Sequence, residues 1–132
     1  MKLKKVLLVD DDQITNNLNT RIIKKLGICE QVDVATNGKE GLDYLRNCEV
    51  DNYPDLILLD INMPIMNGFE FIEAYHREFA QSKTVILMML TTSLQNSDYK
   101  KAKSYPEVSE YIAKPLSPAK LKDILSSAFG ES

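Results

Sequence analysis

The sequence predicts an α/β fold, a five-stranded parallel sheet with helices on both faces, and three observations predict it. Short apolar runs alternate with longer amphipathic stretches in a βα pattern repeated five times. The runs Val6-Leu7-Leu8-Val9 and Leu56-Ile57-Leu58-Leu59 are apolar without alternation, as strands covered on both faces must be. No repeat, low-complexity tract or Pro/Gly linker divides the chain, and 132 residues at 44% hydrophobic content supply one core with no room for a second folded unit. A single domain over residues 1–132 is expected.

Each element has its own signal. Strands are expected near Lys5–Val9, Val32–Ala35, Leu56–Leu59, Val85–Leu90 and Tyr111–Ala113. Ile14, Leu18, Ile22 and Leu26 recur every four residues, as one face of a first helix requires. Asn37, with Glu40 three residues on, marks the start of the second helix. The third follows Gly68, with Phe69, Ile72 and Tyr75 or Phe79 facing inward. A fourth, around Ser97–Ser104, has the weakest pattern. Ser117-Pro118 pairs a capping residue with proline at the first helical position, and Leu121, Ile124, Leu125 and Ala128 form the stripe of the fifth.

Composition excludes several function classes. A net charge of −3 argues against general nucleic-acid binding, which needs a basic face. Residues 1–96 carry 10 basic and 14 acidic side chains and residues 97–132 carry 6 lysines and 5 acids, so Lys100, Lys101, Lys103, Lys120 and Lys122 form at most a mildly basic patch. No apolar stretch is long enough to span a bilayer, and Met1-Lys2-Leu3-Lys4-Lys5 leads into only a short apolar run with no cleavage site. A cytoplasmic protein with no membrane contact is expected. Cys29 and Cys48 lack metal-ligand or redox spacing and are expected as free thiols.

Two of the apolar runs end in acid, one at Asp10-Asp11-Asp12 and the other at Asp60. Such acids often cap helices, but several brought together repel one another unless protonated or joined by a cation. In a doubly wound sheet, ligands bind beyond the carboxyl ends of the strands where strand order reverses. With the flavodoxin-like order 2-1-3-4-5, the first and third strands are neighbours. Asp10, Asp11 and Asp60 then converge, while Thr91-Thr92-Ser93 after the fourth strand and Lys114 after the fifth flank them. Hard oxygen ligands suit Mg2+ completed by phosphate oxygens, and the hydroxyl and ammonium suit the remaining phosphate oxygens. A carboxylate beside that cation can attack phosphorus, so the pattern points to phosphoryl transfer onto an aspartate.

The chain here resembles the receiver domain of two-component response regulators, of the single-domain type seen in chemotaxis regulators. The resemblance runs over essentially the whole chain. It rests on Val9-Asp10-Asp11, Leu59-Asp60-Ile61-Asn62-Met63-Pro64 with Gly68, Leu90-Thr91-Thr92-Ser93 and Lys114-Pro115. It implies Asp60 as phosphoacceptor and Mg2+ ligand, Asp11 as a direct and Asp10 as a water-mediated organiser of Mg2+, and the backbone carbonyl of Asn62 as a third protein ligand. It further implies that Lys114 pairs with the phosphoryl group, that Thr91 bonds to it in the active state, and that Tyr111 switches rotamer with Thr91. A cis Lys114-Pro115 bond is part of the same pattern. Implied partners are a sensor histidine kinase or histidine phosphotransfer protein as donor, and a downstream protein bound through the fourth helix, fifth strand and fifth helix. The chain ends soon after Phe129-Gly130, so no output domain is expected.

Asp12 is expected to cap the first helix beside the site, and Thr92 takes a position often held by alanine or glycine. The segment Asn47–Pro54 is longer than in short receivers and is expected far from the acidic edge. His76, the only histidine, is expected at the surface. Met63, Met66, Met88 and Met89 are expected in packing, and Tyr99, Tyr105 and Tyr111 suit either packing or a partner surface. A phosphatase of the haloacid dehalogenase type needs an acid two residues after its nucleophile, where this chain has Asn62. A flavin or nucleotide domain would need a glycine-rich loop after the first strand. A phosphate-independent interaction module of receiver fold is the alternative, but such modules normally lose part of the acid, threonine and lysine set, which is complete here.

Overall fold

Apolar runs flanked by amphipathic helices fold as the doubly wound pattern requires. The chain's structure, a computed structural model, describes residues 3–79, 84–90, 100, 101, 103–113 and 115–128. Five strands, β1 (Leu3–Val9), β2 (Cys29–Ala35), β3 (Leu56–Asp60), β4 (Val85–Leu90) and β5 (Val108–Ala113), form one sheet in the order β2-β1-β3-β4-β5. All four pairings are parallel. Helices α1 (Gln13–Leu26), α2 (Gly38–Asn47), α3 (Gly68–Phe79) and a C-terminal helix (Pro118–Ala128) connect and follow them. Lys100, Lys101 and Lys103 are helical, within the span expected for the weakest helix.

Strand side chains alternate between two cores. Leu7, Val9, Ile57 and Leu59 pack with Leu42 and Leu45 of α2 and Phe71 and Ile72 of α3. On the opposite face Val6, Leu8, Leu56 and Leu58 pack with Ile23 of α1 and with Leu121 and Leu125 of the C-terminal helix. Each fully buried aliphatic side chain contributes about 1.5–3 kcal/mol, so strands buried on both faces anchor the fold. The two edge strands begin three residues earlier than expected, at Cys29 and Val108. Their extra residues include Glu30, Gln31, Ser109 and Glu110, which an edge tolerates and an apolar-run criterion passes over.

The face of α1 differs from the four-residue stripe. Ile14 and Leu18 are 71% and 51% exposed, Ile22 and Leu26 are only partly buried, and the buried residues are Asn16, Asn19 and Ile23. A strict four-residue repeat advances about 40° past each full turn, so Ile14 ends on the side of the helix opposite Ile23. The second, third and C-terminal helices follow expectation over the residues described, while residues 97–99 and 102 of the expected fourth helix lie outside them. Asn37 accepts from the Glu40 N–H at 2.9 Å, and Glu40 reaches back to the Thr36 N–H at 2.8 Å. Phe69, Ile72 and Tyr75 are buried in α3, joined by Phe71 and Ala74. Ser117 Oγ accepts from the Lys120 N–H at 3.2 Å, and Leu121 and Leu125 are buried.

The long connection before β3 contains one 3-10 turn, Val50–Asn52, at the end of the sheet opposite Asp60. The Asp55 N–H donates to the Lys5 carbonyl at 2.9 Å, and Thr84 Oγ1 donates to the Pro54 carbonyl at 2.7 Å. Both bonds tie that connection to neighbouring strands.

Candidate phosphoacceptor site

β1 and β3 lie side by side with Val9 opposite Leu59, so the next residues, Asp10 and Asp60, come together at the carboxyl edge of the sheet. Both are buried, at 5% and 3% exposure, and Asp11 is exposed beside them. One carboxylate oxygen from each of the three lies within 4.8 Å of the others. Among the described residues this is the only group of three or more such side chains placed to share an ion. Hard, anionic oxygens with one exposed side suit a cation that retains water, which is the behaviour of Mg2+. The donor set therefore fits that ion.

Local hydrogen bonds hold Asp10 and Asp12 in place. The Asp10 N–H continues the ladder to the Ala35 carbonyl at 3.1 Å, and the Asp12 N–H donates to Asp10 Oδ1 at 2.9 Å. Asn16, buried on the first turns of α1, donates through Nδ2 to the Asp10 carbonyl at 2.8 Å. Asp12 caps α1 as expected, accepting from the Ile14 N–H at 3.0 Å and the Thr15 hydroxyl at 2.9 Å. Its oxygens are thus committed to the helix end.

The loop after Asp60 is set by a glycine. A Cβ on Gly68 would lie 2.5 Å from the Asp60 carbonyl oxygen and 2.9 Å from Ile61 Cα, and the Gly68 N–H donates to the Ile61 carbonyl at 2.8 Å. Only glycine allows α3 to start so close to Asp60. Asn67 and Glu70 then form a reciprocal cap, with both bonds at 2.9 Å. Within the loop Asn62 is exposed, and Met63 and Met66 pack partly against the core. Ile65 has φ +69°, a left-handed conformation costly for a β-branched residue. The next residue is held down at α2, where the Gly38 N–H donates to the Met66 carbonyl at 3.2 Å.

Thr91 and Lys114, with Thr92 and Ser93, lie outside the described residues, as do Tyr99 and the side chains of Met88 and Met89. In sequence, Thr91 and Lys114 immediately follow the last residues of β4 and β5. Tyr111 sits in β5 beside Met88 of β4 and packs, half-buried, against the α2–α3 core. Tyr105 stacks on Phe69 with ring centroids 6.1 Å apart, and Lys101 Nζ lies 4.6 Å from the same Phe69 ring. His76 is exposed on α3 and pairs with Glu107. The supporting roles of Asn16 and of the Asn67–Glu70 cap are additions to the sequence reading. The cap was legible as Asn-x-x-Glu before an apolar run, whereas nothing in the sequence marks Asn16.

The fold and site define a doubly wound α/β protein with an acidic centre where strand order reverses. The family model for the response regulator receiver domain matches residues 6–126. The chain is 35% identical over 119 residues to two-component response regulator 24 of Arabidopsis thaliana, covering 90% of this chain and 79% of that protein. It is 32% identical over 120 residues to hybrid signal transduction histidine kinase G of Dictyostelium discoideum, spanning 91% of this chain but only 3% of the kinase. The crystal structure of a two-component response regulator from Cytophaga hutchinsonii superposes with a TM-score of 0.89 at 32% identity, over 99% of this chain and 100% of that one. The chain belongs to the response regulator receiver domain family. It is a phosphoacceptor signalling domain of two-component systems, and its family binds Mg2+ at an acidic pocket.

Proposed function

We propose that Asp60 is the phosphoacceptor, and that residues 1–132 act as one receiver domain in the cytoplasm. A carboxylate oxygen of Asp60 attacks the phosphorus of a phosphohistidine. The P–N bond breaks, and its electron pair returns to the imidazole of a sensor histidine kinase or histidine phosphotransfer protein. The likeness to part of a hybrid histidine kinase supports such a donor. Asp11, Asp60, the Asn62 carbonyl and, through water, Asp10 would hold Mg2+, which would neutralise charge on the phosphoryl oxygens. Lys114 pairs with the phosphoryl group, Thr91 bonds to it, and Tyr111 follows Thr91 to alter a surface formed by the fourth helix, β5 and the C-terminal helix. A downstream protein reads that surface. The domain turns over no separate substrate; its own chemistry is phosphorylation and hydrolysis of the aspartyl phosphate.

The observation that carries this reading is the convergence of Asp10, Asp11 and Asp60 within 4.8 Å, with Asp60 buried at the end of its strand. Acetyl phosphate with Mg2+ should add one phosphoryl group by intact mass. Asp60→Asn should abolish the addition, because an amide is a poor nucleophile without charge. Full stoichiometry in Asp60→Asn would move the acceptor elsewhere.

A further inference from the structure

At the end of the sheet opposite the acids, an ammonium is buried beside a thiol. Lys5 of β1 is only 6% exposed, although lysine is rarely buried without a carboxylate partner. Its Nζ donates to the Asn52 carbonyl at 2.8 Å, lies 5.2 Å from the Tyr44 ring centroid, and approaches Cys48 Sγ at 4.0 Å. Cys48 is the residue that ends α2, and it is partly open to solvent. Tyr44 is fixed in turn by donating to Asp33 at 2.5 Å. Lysine and cysteine therefore come together from elements 43 residues apart in sequence. The 3-10 turn and the tyrosine ring contact the lysine end of the pair.

We propose that Cys48 and Lys5 form an oxidative modification site, in which peroxide converts the Cys48 thiol to a sulfenic acid and the Lys5 amine captures it as a sulfenamide. In the first step the Cys48 sulfur attacks one oxygen of hydrogen peroxide; the O–O bond breaks, sulfur is oxidised, and water leaves. In the second the Lys5 ammonium gives one proton to water, the freed nitrogen lone pair attacks that sulfur, the S–O bond breaks, the hydroxyl leaves with a further proton from nitrogen as a second water, and an S–N bond forms. No further oxidant is consumed. The product links β1 to the end of α2, a cross-tie between two elements that otherwise meet only through packing. Burial pushes the Cys48 thiol up, Lys5 opposes that rise and the Asp33 carboxylate adds to it, so the first step accelerates toward alkaline pH, as the thiolate is the attacking form. The flexible stem of lysine lets nitrogen close the 4.0 Å gap while the strand stays in place.

Cys29 complicates a simple mass readout, because a Cys29–Cys48 disulfide also removes two hydrogens. The test therefore uses the full chain carrying Cys29→Ser, treated with hydrogen peroxide above neutral pH. The expected result is a mass loss of about 2 Da, reversed by thiol reductant, with a linked peptide joining residue 5 to residue 48. Lys5→Arg in the same background should lose the link and accumulate Cys48 sulfenic acid trapped by a 1,3-diketone. If Lys5→Arg does not fold, the linked peptide in the Cys29→Ser protein decides alone. Oxidation of Cys48 to sulfenic or sulfinic acid without any Lys5-linked peptide would overturn the proposal.

Discussion

Beside Asp60 the backbone leaves no room for a side chain at residue 68, and the loop that precedes it carries strain three residues earlier. Ile65 holds φ +69° with its side chain 77% exposed, so the conformation costs energy that its side chain recovers little of by burial. Ile65→Gly removes a penalty of roughly 1–2 kcal/mol and returns part of it as unfolded-state entropy. The variant should be more stable by up to about 1 kcal/mol in urea denaturation, with Ile65→Val giving no gain. Equal behaviour of the two would show that the left-handed backbone carries no cost here. Neighbouring acids divide the work just as sharply. Asp12 spends both oxygens on the start of α1, while Asp11 is exposed and faces Asp10 and Asp60. Asp12→Ala should lower stability by about 0.5–2 kcal/mol and leave Mg2+ affinity nearly intact. Asp11→Ala should do the reverse, losing Mg2+ binding by calorimetric titration with little effect on folding. Parallel losses in the two variants would mean that both acids face the ion.

At the scale of elements, α1 separates what the residue pattern implies from what packing selects. Leu18 is half-exposed, and Ile23 is fully buried against Val6, Leu8 and the C-terminal helix. Ile23→Ala should therefore cost about 2–5 kcal/mol in chemical denaturation. Leu18→Ala should stay within roughly 0.5 kcal/mol of the parent. A larger loss at Leu18 would restore the four-residue stripe as the packing face. Legibility in the sequence followed the same physics. β1 and β3 were plain because strands buried on both faces must be uniformly apolar, and Asp10, Asp11 and Asp60 stood out because they end those runs. The caps at Asp12, Asn37 and Ser117 follow from side chains that accept from nearby N–H groups, a purely local rule. The inner face of α1 was hidden because Asn16 and Asn19 are buried there for hydrogen bonding or fit, which no hydrophobic period records. Lys5 was hidden for a related reason. A lysine at the head of an apolar strand reads as solvent-facing until the 3-10 turn supplies a carbonyl above it.

Across the whole molecule, the receiver reading requires an event at Asp60 to reach a surface two strands away. β3 pairs with β4 and β4 with β5, with Asp60 opposite Met89 and Met88 opposite Tyr111, so on the proposed route a shift after β4 would reach β5 through one strand pairing. A phosphoryl group adds nearly two negative charges and offers acceptor oxygens, to which Lys114 and the Thr91 hydroxyl would be the donors in the proposed mechanism. Drawing Thr91 inward would vacate space for the half-buried Tyr111 ring. A bound mimic can move this equilibrium only by contacting one arrangement better than the other, and on the proposed route the Thr91 hydroxyl would supply that difference. Beryllofluoride with Mg2+ should therefore perturb amide resonances chiefly across residues 91–123. Thr91→Ala should still bind the mimic, because Asp60, the other acids and Lys114 remain, yet show much smaller changes over the same residues. Perturbations confined to Asp10, Asp11, Asp60 and their immediate neighbours in the parent protein would break this route while leaving Asp60 as acceptor. Full-sized changes in Thr91→Ala would instead show that β4 and β5 respond to charge alone, with Lys114 rather than the hydroxyl as the coupling group.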